Sequence, residues 1–190
     1  MQENVTALRS QQSIEDALLE LLRQMPYAEI TISRIADRAG LSRQAFYRNY
    51  RDKAAVMDRI MLKLFGEIMD AVRKAEAGTI EELVEVYTDY VEVHIDLLQL
   101  IAANDLSSRL GTVITGELMK LPPVLPCQRE IRTREEGVFF NSFWVSAFIS
   151  VYTEWLREAE RADRSELNRI LSDIMYGHYF NEGEEYGKHQ

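Results

Sequence analysis

Residues 31–53 read TISRIADRAGLSRQAFYRNYRDK, and the spacing within this stretch predicts two short helices and the start of a third. Thr31 can accept a backbone N–H as the N-cap of a helix through Ala39, whose inward residues are Ile32, Ile35, Ala36 and Ala39. Gly40 stops that helix, because glycine takes positive φ without steric cost. Leu41-Ser42 then supplies a core anchor and a fresh cap. The next helix runs from Arg43 to about Asn49. Leu41 and Phe46 are spaced to face a three-helix core, which leaves Arg43, Gln44, Tyr47 and Arg48 on the outer side.

Two short helices joined by Gly40-Leu41-Ser42, the second of them basic, fit a helix-turn-helix whose second member enters the DNA major groove N-terminus first. Arg43 and Gln44 are the expected base readers, since Arg can bond bidentately to guanine and Gln to adenine. Tyr47 and Arg48 are expected on phosphates. Lys53 joins them at the first turn of the following helix, where its charge and the helix N–H groups could hold a phosphate together. Thr31 and Ser42 could add hydroxyl contacts. Taken singly, Arg48, Arg51 or Lys53 reads equally well as part of a solvated face, and only the joint arrangement argues otherwise.

Charge follows the same division. Between Arg34 and Arg59 seven basic residues stand against Asp37, Asp52 and Asp58, a local +4 in a 190-residue chain of net charge −9. The remainder therefore carries −13, which excludes a protein that coats nucleic acid over its whole surface and confines DNA contact to a patch. Cys127, the single cysteine, can form neither an internal disulfide nor a Cys-based metal cluster. Nothing at the N-terminus resembles a signal peptide, so a cytoplasmic location is expected.

Outward from the deciding stretch the chain reads as all-α. Ile14, Ala17, Leu18, Leu21, Leu22 and Met25 put one apolar stripe on a first helix that Pro26 ends. Asp52 caps a long fourth helix, with Val56, Ile60, Leu64 and Ile68 on one face, which is expected to end near Gly78. Thr79 caps a fifth running to about Ala103. Between Asn104 and Arg132 the glycines at 111 and 116 and the prolines at 122, 123 and 126 suggest one or two shorter helices and a loop. From Arg134 to about Ala159 the helix is apolar on nearly all faces and must be covered on more than one side. The stretch Val138–Tyr152 is too short and too often interrupted by serine to cross a membrane. A final helix spans about Arg164 to Tyr176, and the tail from Asn181 is polar. The expected organisation is a helix-turn-helix domain over 1–53 fused through the long helix to a helical bundle over 54–190.

The run from Thr31 through Ala39-Gly40-Leu41-Ser42-Arg43-Gln44-Ala45-Phe46-Tyr47-Arg48-Asn49-Tyr50 to Lys53 resembles the signature of TetR/AcrR-family transcriptional regulators, over roughly residues 10 to 60. Phe46, Tyr50 and Ala54 depart mildly from the family's usual Leu, Phe and Glu. The resemblance implies a homodimer on a near-palindromic double-stranded DNA operator, acting as a repressor that a small-molecule effector releases. Phe143-Trp144…Tyr152…Trp155-Leu156-Arg157 is similar to the C-terminal domain of many Gram-positive TetR-type regulators. That similarity implies a four-helix dimer interface built by the last two long helices and their copies.

The same resemblance implies an effector cavity between the fourth, fifth and penultimate helices. Leu64, Tyr87, Tyr90, His94, Met119, Phe139, Phe143 and Trp144 are the candidate lining, although each singly reads as core packing. His94 in particular reads more readily as a hydrogen-bonded core residue than as a metal ligand, because no second His or Cys has ligand spacing to it. No Ser-His-Asp, paired-carboxylate, metal or phosphate-loop pattern supplies chemistry for an enzyme, and no cofactor motif is present. A regulator that takes a protein partner, or that acts as an activator without a small ligand, remains an alternative.

Overall fold

A computed structural model describes residues 2–121, 133–158 and 161–178, with side chains from residue 6 onward. The proline cluster at 122–126, Cys127, Ala159 and the polar tail from Asn181 fall outside these residues. Among those described, all regular structure is helical. The elements are α1 (Gln2–Leu22), a 3-10 turn (Tyr27–Glu29), α2 (Ile32–Arg38), α3 (Arg43–Asn49), α4 (Lys53–Ala75), α5 (Ile80–Val93), α6 (Ile95–Ala103), α7 (Ser107–Leu118), α8 (Arg134–Arg157) and α9 (Arg164–Met175). None of the described helices is long and apolar enough to cross a membrane.

The expected caps are in place. Thr31, Ser42, Asp52 and Thr79 each accept a backbone N–H from three residues on, and Thr79 with Glu82 completes a reciprocal capping box. Gly40 sits at φ +66°, with its N–H on the Asp37 carbonyl (3.2 Å) and the Leu41 N–H on that of Ala36 (2.9 Å). These are the two bonds of a Schellman stop, and they turn the chain sharply from α2 into α3. The buried stripe of α1 (Ile14, Ala17, Leu18, Leu21, Leu22) packs with Ile35, Ala36 and Phe46 over the first half of α4.

Two element boundaries differ from expectation. α4 stops at Ala75, because Glu76 turns left-handed at φ 50°, and Gly78 instead donates its N–H to the Glu82 carboxylate (2.8 Å). The expected fifth helix is two helices. His94 leaves helical geometry (φ −106°, ψ 21°), and α6 restarts on its carbonyl, which accepts from Leu98 (3.0 Å). The bend lets α5 pack on α4 and α9 while α6 packs on α8. Because the apolar spacing runs unbroken through it, with no glycine or proline, only tertiary packing reveals the kink.

Gly40 and Gly66 make a paired test, since a Cβ at either would meet no atom within 4 Å. Gly40→Ala is expected to lose about 1–2 kcal/mol to its left-handed φ. Gly66→Ala, in the interior of α4, is expected to gain up to about 1 kcal/mol from helix propensity. Urea unfolding followed by circular dichroism reads both, and equal signs would contradict the assignment.

Candidate nucleic-acid interface and ligand cavity

On α3 the division of faces is as the spacing predicts. Phe46 is fully buried and Ala45 nearly so, whereas Arg43, Gln44, Tyr47 and Arg48 are exposed. Tyr47 lies edge-on to the Phe46 ring at 5.7 Å, which holds its hydroxyl end outward. Arg43, Gln44 and Arg48 make no hydrogen bond or ion pair among the described residues. Three long polar side chains on one short helix therefore face solvent unneutralised. A helix kept in this state offers its donors to a groove without first breaking internal bonds. Thr31 and Ser42 spend a lone pair on their caps (3.3 Å from Arg34 N, 3.1 Å from Ala45 N), which leaves each hydroxyl hydrogen free to meet a phosphate.

Lys53 has a different occupation from the one expected of it. Its ammonium donates to the carbonyls of Tyr27 (2.6 Å), Ile30 (2.8 Å) and Ala28 (3.2 Å) and lies over the Tyr27 ring. All three of its donors are used, and partial burial lowers its pKa. The turn from α1 to α2 points three carbonyls at one spot, and a cation there satisfies them. Lys53 thus positions the loop that carries Thr31, and only its backbone N–H at the α4 N-terminus stays available to a phosphate.

A second polar joint was not legible in the sequence. Glu15 on α1 is buried, accepts the Tyr50 hydroxyl (2.6 Å) and is ion-paired to Lys63 of α4. A buried carboxylate paired on two sides locks the reading head to α4.

Below the head lies a partly open cavity of about 140 Å³ between α4, α5, α6, α7 and α8. Leu64, Tyr87, Tyr90 and Trp144 line it, as expected. The other four candidates do not. Phe139 and Phe143 are 74% and 60% exposed, because each sits two residues from the inward Asn141, roughly 200° around the helix. His94 stacks on Tyr90 (4.2 Å between centroids) and faces Glu67 (3.6 Å) outside the wall. Met119 stands behind Asn141, its sulfur 3.4 Å from the amide nitrogen.

The wall missed in the sequence comes chiefly from α7, through Ser107, Leu110, Ile114 and Leu118, and from Phe148, Ile149, Tyr152 and Thr153 of α8. The i, i+4, i+8 spacing of Leu110, Ile114 and Leu118 was the available signal. Gly111 obscured it. A Cβ there would stand in ordinary contact with the Ile149 side chain, at 3.4 Å.

Head and cavity are tied by two further contacts. The Tyr27 N–H donates to the Asn104 side-chain oxygen (2.7 Å), and Arg109 of α7 forms a two-pronged pair with Asp58 of α4 (2.6 and 2.7 Å).

Comparison with known proteins agrees with this geometry. Residues 14–60 match the family model for bacterial regulatory proteins, tetR family. No curated protein matches the chain. Among solved structures, a TetR transcriptional regulator from Streptococcus agalactiae superposes with TM-score 0.66 at 19% identity, covering 92% of this chain and 97% of its own. Thermus thermophilus FadR, a TetR-family repressor in complex with lauroyl-CoA, gives 0.60 at 19% identity, with coverage of 92% and 97%. The TetR-family repressor AlkX from Dietzia gives 0.50 at 22%, with coverage of 88% and 94%. Fold and head together define a helix-turn-helix, DNA-binding transcriptional regulator. Its DNA-binding domain is that of the TetR family, and the chain around it has the fold of those regulators.

Lys53→Met strands three carbonyls and is expected to cost about 1–3 kcal/mol. Arg43→Ala, on an exposed and unpaired side chain, is expected to stay within about 0.5 kcal/mol of the parent. Chemical denaturation of the two variants side by side checks both. A silent Lys53→Met would remove the clamp from this account.

Proposed function

We propose that this chain is a homodimeric repressor of a near-palindromic operator, released when a small molecule enters the cavity beneath its reading head. The observation that carries the proposal is the α3 surface, where Arg43, Gln44 and Arg48 stand exposed and unpaired above a buried Phe46. Residues 1–53 serve as the reading head and 54–190 as the sensing and dimerising part, and no catalytic step is assigned to either. Arg43 and Gln44 read bases, while Thr31, Ser42, Tyr47, Arg48 and the α4 N-terminus at Lys53 hold phosphates.

A second copy is the natural partner for the aromatic face of α8, because exposed apolar patches of this kind mark interaction sites. Phe139 and Phe143 lie on the side of α8 that α6 and α7 leave open. For such a dimer to enter two successive major grooves, its two α3 helices must stand about 34 Å apart, one turn of DNA. A repressor role is favoured by Thermus FadR and Dietzia AlkX, each described as a repressor.

Release requires the cavity to reach the head. α7 carries both the cavity wall and Arg109, whose guanidinium grips Asp58 one turn into α4. A ligand that displaces α7 therefore moves the head end of α4. An effector preferring the displaced state by about 1–3 kcal/mol would change operator affinity 5- to 150-fold.

Selection from a random double-stranded DNA library at two salt concentrations tests the first half. An enriched inverted repeat is expected, and Arg43→Ala or Gln44→Ala is expected to blur specific positions in it, at about 1–3 kcal/mol per lost contact. Weak, sequence-blind and strongly salt-dependent binding would refute the reading. For the second half, Phe143→Glu is expected to shift the protein from dimer to monomer in sedimentation analysis. A dimer that tolerates the charge places the interface elsewhere.

A further inference from the structure

The chemistry of the wall says what kind of molecule the cavity accepts, an inference that rests on the ligand-sensing role proposed above. Among the described residues that line it, none carries a charge. Among their polar atoms, the Tyr152 hydroxyl is bonded to Thr88 (2.7 Å), Tyr90 donates to the Leu64 carbonyl (2.9 Å), and the Asn141 amide nitrogen donates to the Met119 sulfur (3.4 Å). A charged ligand would leave its hydration shell and meet no counter-charge.

Size gives a second indication. A cavity of about 140 Å³ is close to the roughly 150 Å³ apolar cavity known to take up benzene. The space suits one ring or a short branched chain.

A hydroxyl pair stands where the wall meets the α7–α8 seam. Ser107 and Thr153 face the cavity and also face the polar groove of about 810 Å³ that runs between α7 and α8. Ile149 borders both spaces as well, so the partition between them is a single side chain and one hydroxyl pair. Thr153 donates to Ser107 (3.1 Å), which leaves the Ser107 hydroxyl with its own hydrogen to donate.

We infer that the effector is a compact, neutral, mainly apolar molecule of about one ring, bearing at most one hydroxyl or carbonyl oxygen, which lies against Ser107 at the α7–α8 seam. The cavity selects against carboxylates and ammonium ions of the same shape.

Four ligands on one ring test this with the full-length protein: toluene, benzyl alcohol, benzoate and benzylamine. Binding is followed by calorimetry and by the shift in Tm, with operator affinity measured in parallel. Toluene and benzyl alcohol are expected to bind, and the two ions to bind at least about 100-fold more weakly. Ile114→Trp, which fills the cavity, is expected to abolish toluene binding, with its fold checked by circular dichroism. Ser107→Ala is expected to weaken benzyl alcohol about 5-fold and to leave toluene unchanged.

Benzoate or benzylamine binding as tightly as toluene would overturn the inference. So would binding of none of the four, or toluene binding that a folded Ile114→Trp variant leaves intact. Toluene binding in the cavity with operator affinity unaltered would uphold the ligand class and refute the release mechanism.

Discussion

One helix belongs to two cores. The first half of α4 buries Val56, Met57, Ile60, Met61 and Leu64 among residues of α1, α2 and α3, and its second half buries Phe65, Ile68, Met69 and Val72 against α5, α7 and α8. A continuous hydrogen-bonded helix resists bending between those halves, so the head cannot reorient without moving the cavity wall. The rest of the architecture follows from this sharing. Leu64, Ile101 and Leu110 belong at once to the head's core and to the cavity lining, so the two parts share a wall.

Polar contacts then fix the angle at which the head sits on that rod. Lys53 gathers the three carbonyls of the preceding turn, Glu15 bridges Tyr50 and Lys63, and Asn104 and Arg109 reach across from the α6–α7 side. These bonds are directional where the apolar packing is not, and a small displacement of α7 is felt at Asp58 as the loss of defined geometry. The arrangement suits a two-state device, since partial displacement satisfies neither partner.

The head was legible because its signals are local. Thr31, Gly40, Ser42 and Asp52 act within a few residues of themselves, and Phe46 against Arg43, Gln44 and Arg48 is a matter of helical phase. The cavity was half legible. Leu64, Tyr87, Tyr90 and Trp144 were found because their helices were read correctly, but Phe139 and Phe143 were placed inward when α8 turns them out. An all-round apolar helix carries no phase to say which side is which. Lys53 misled for another reason: a cation at a helix start announces a negative partner, and neither the composition nor the spacing shows three carbonyls converging on it. Gly111 was read as a breaker because glycine weakens isolated helices, whereas α7 runs unbroken through it.

The overlap along α4 also bears on how such regulators can be rebuilt. The helix-turn-helix ends before Lys53, but the hydrophobic core beneath it does not. Val56, Met57, Ile60 and Met61 complete the hydrophobic centre under α3, and Lys63 neutralises a carboxylate on α1. A chimaera cut at residue 53 would graft a recognition helix without its foundation, whereas a junction at or beyond Leu64 carries the whole support with it. Exchange of the C-terminal bundle between proteins of this architecture is thereby confined to a seam about three turns inside the helix, well away from the loop before Lys53.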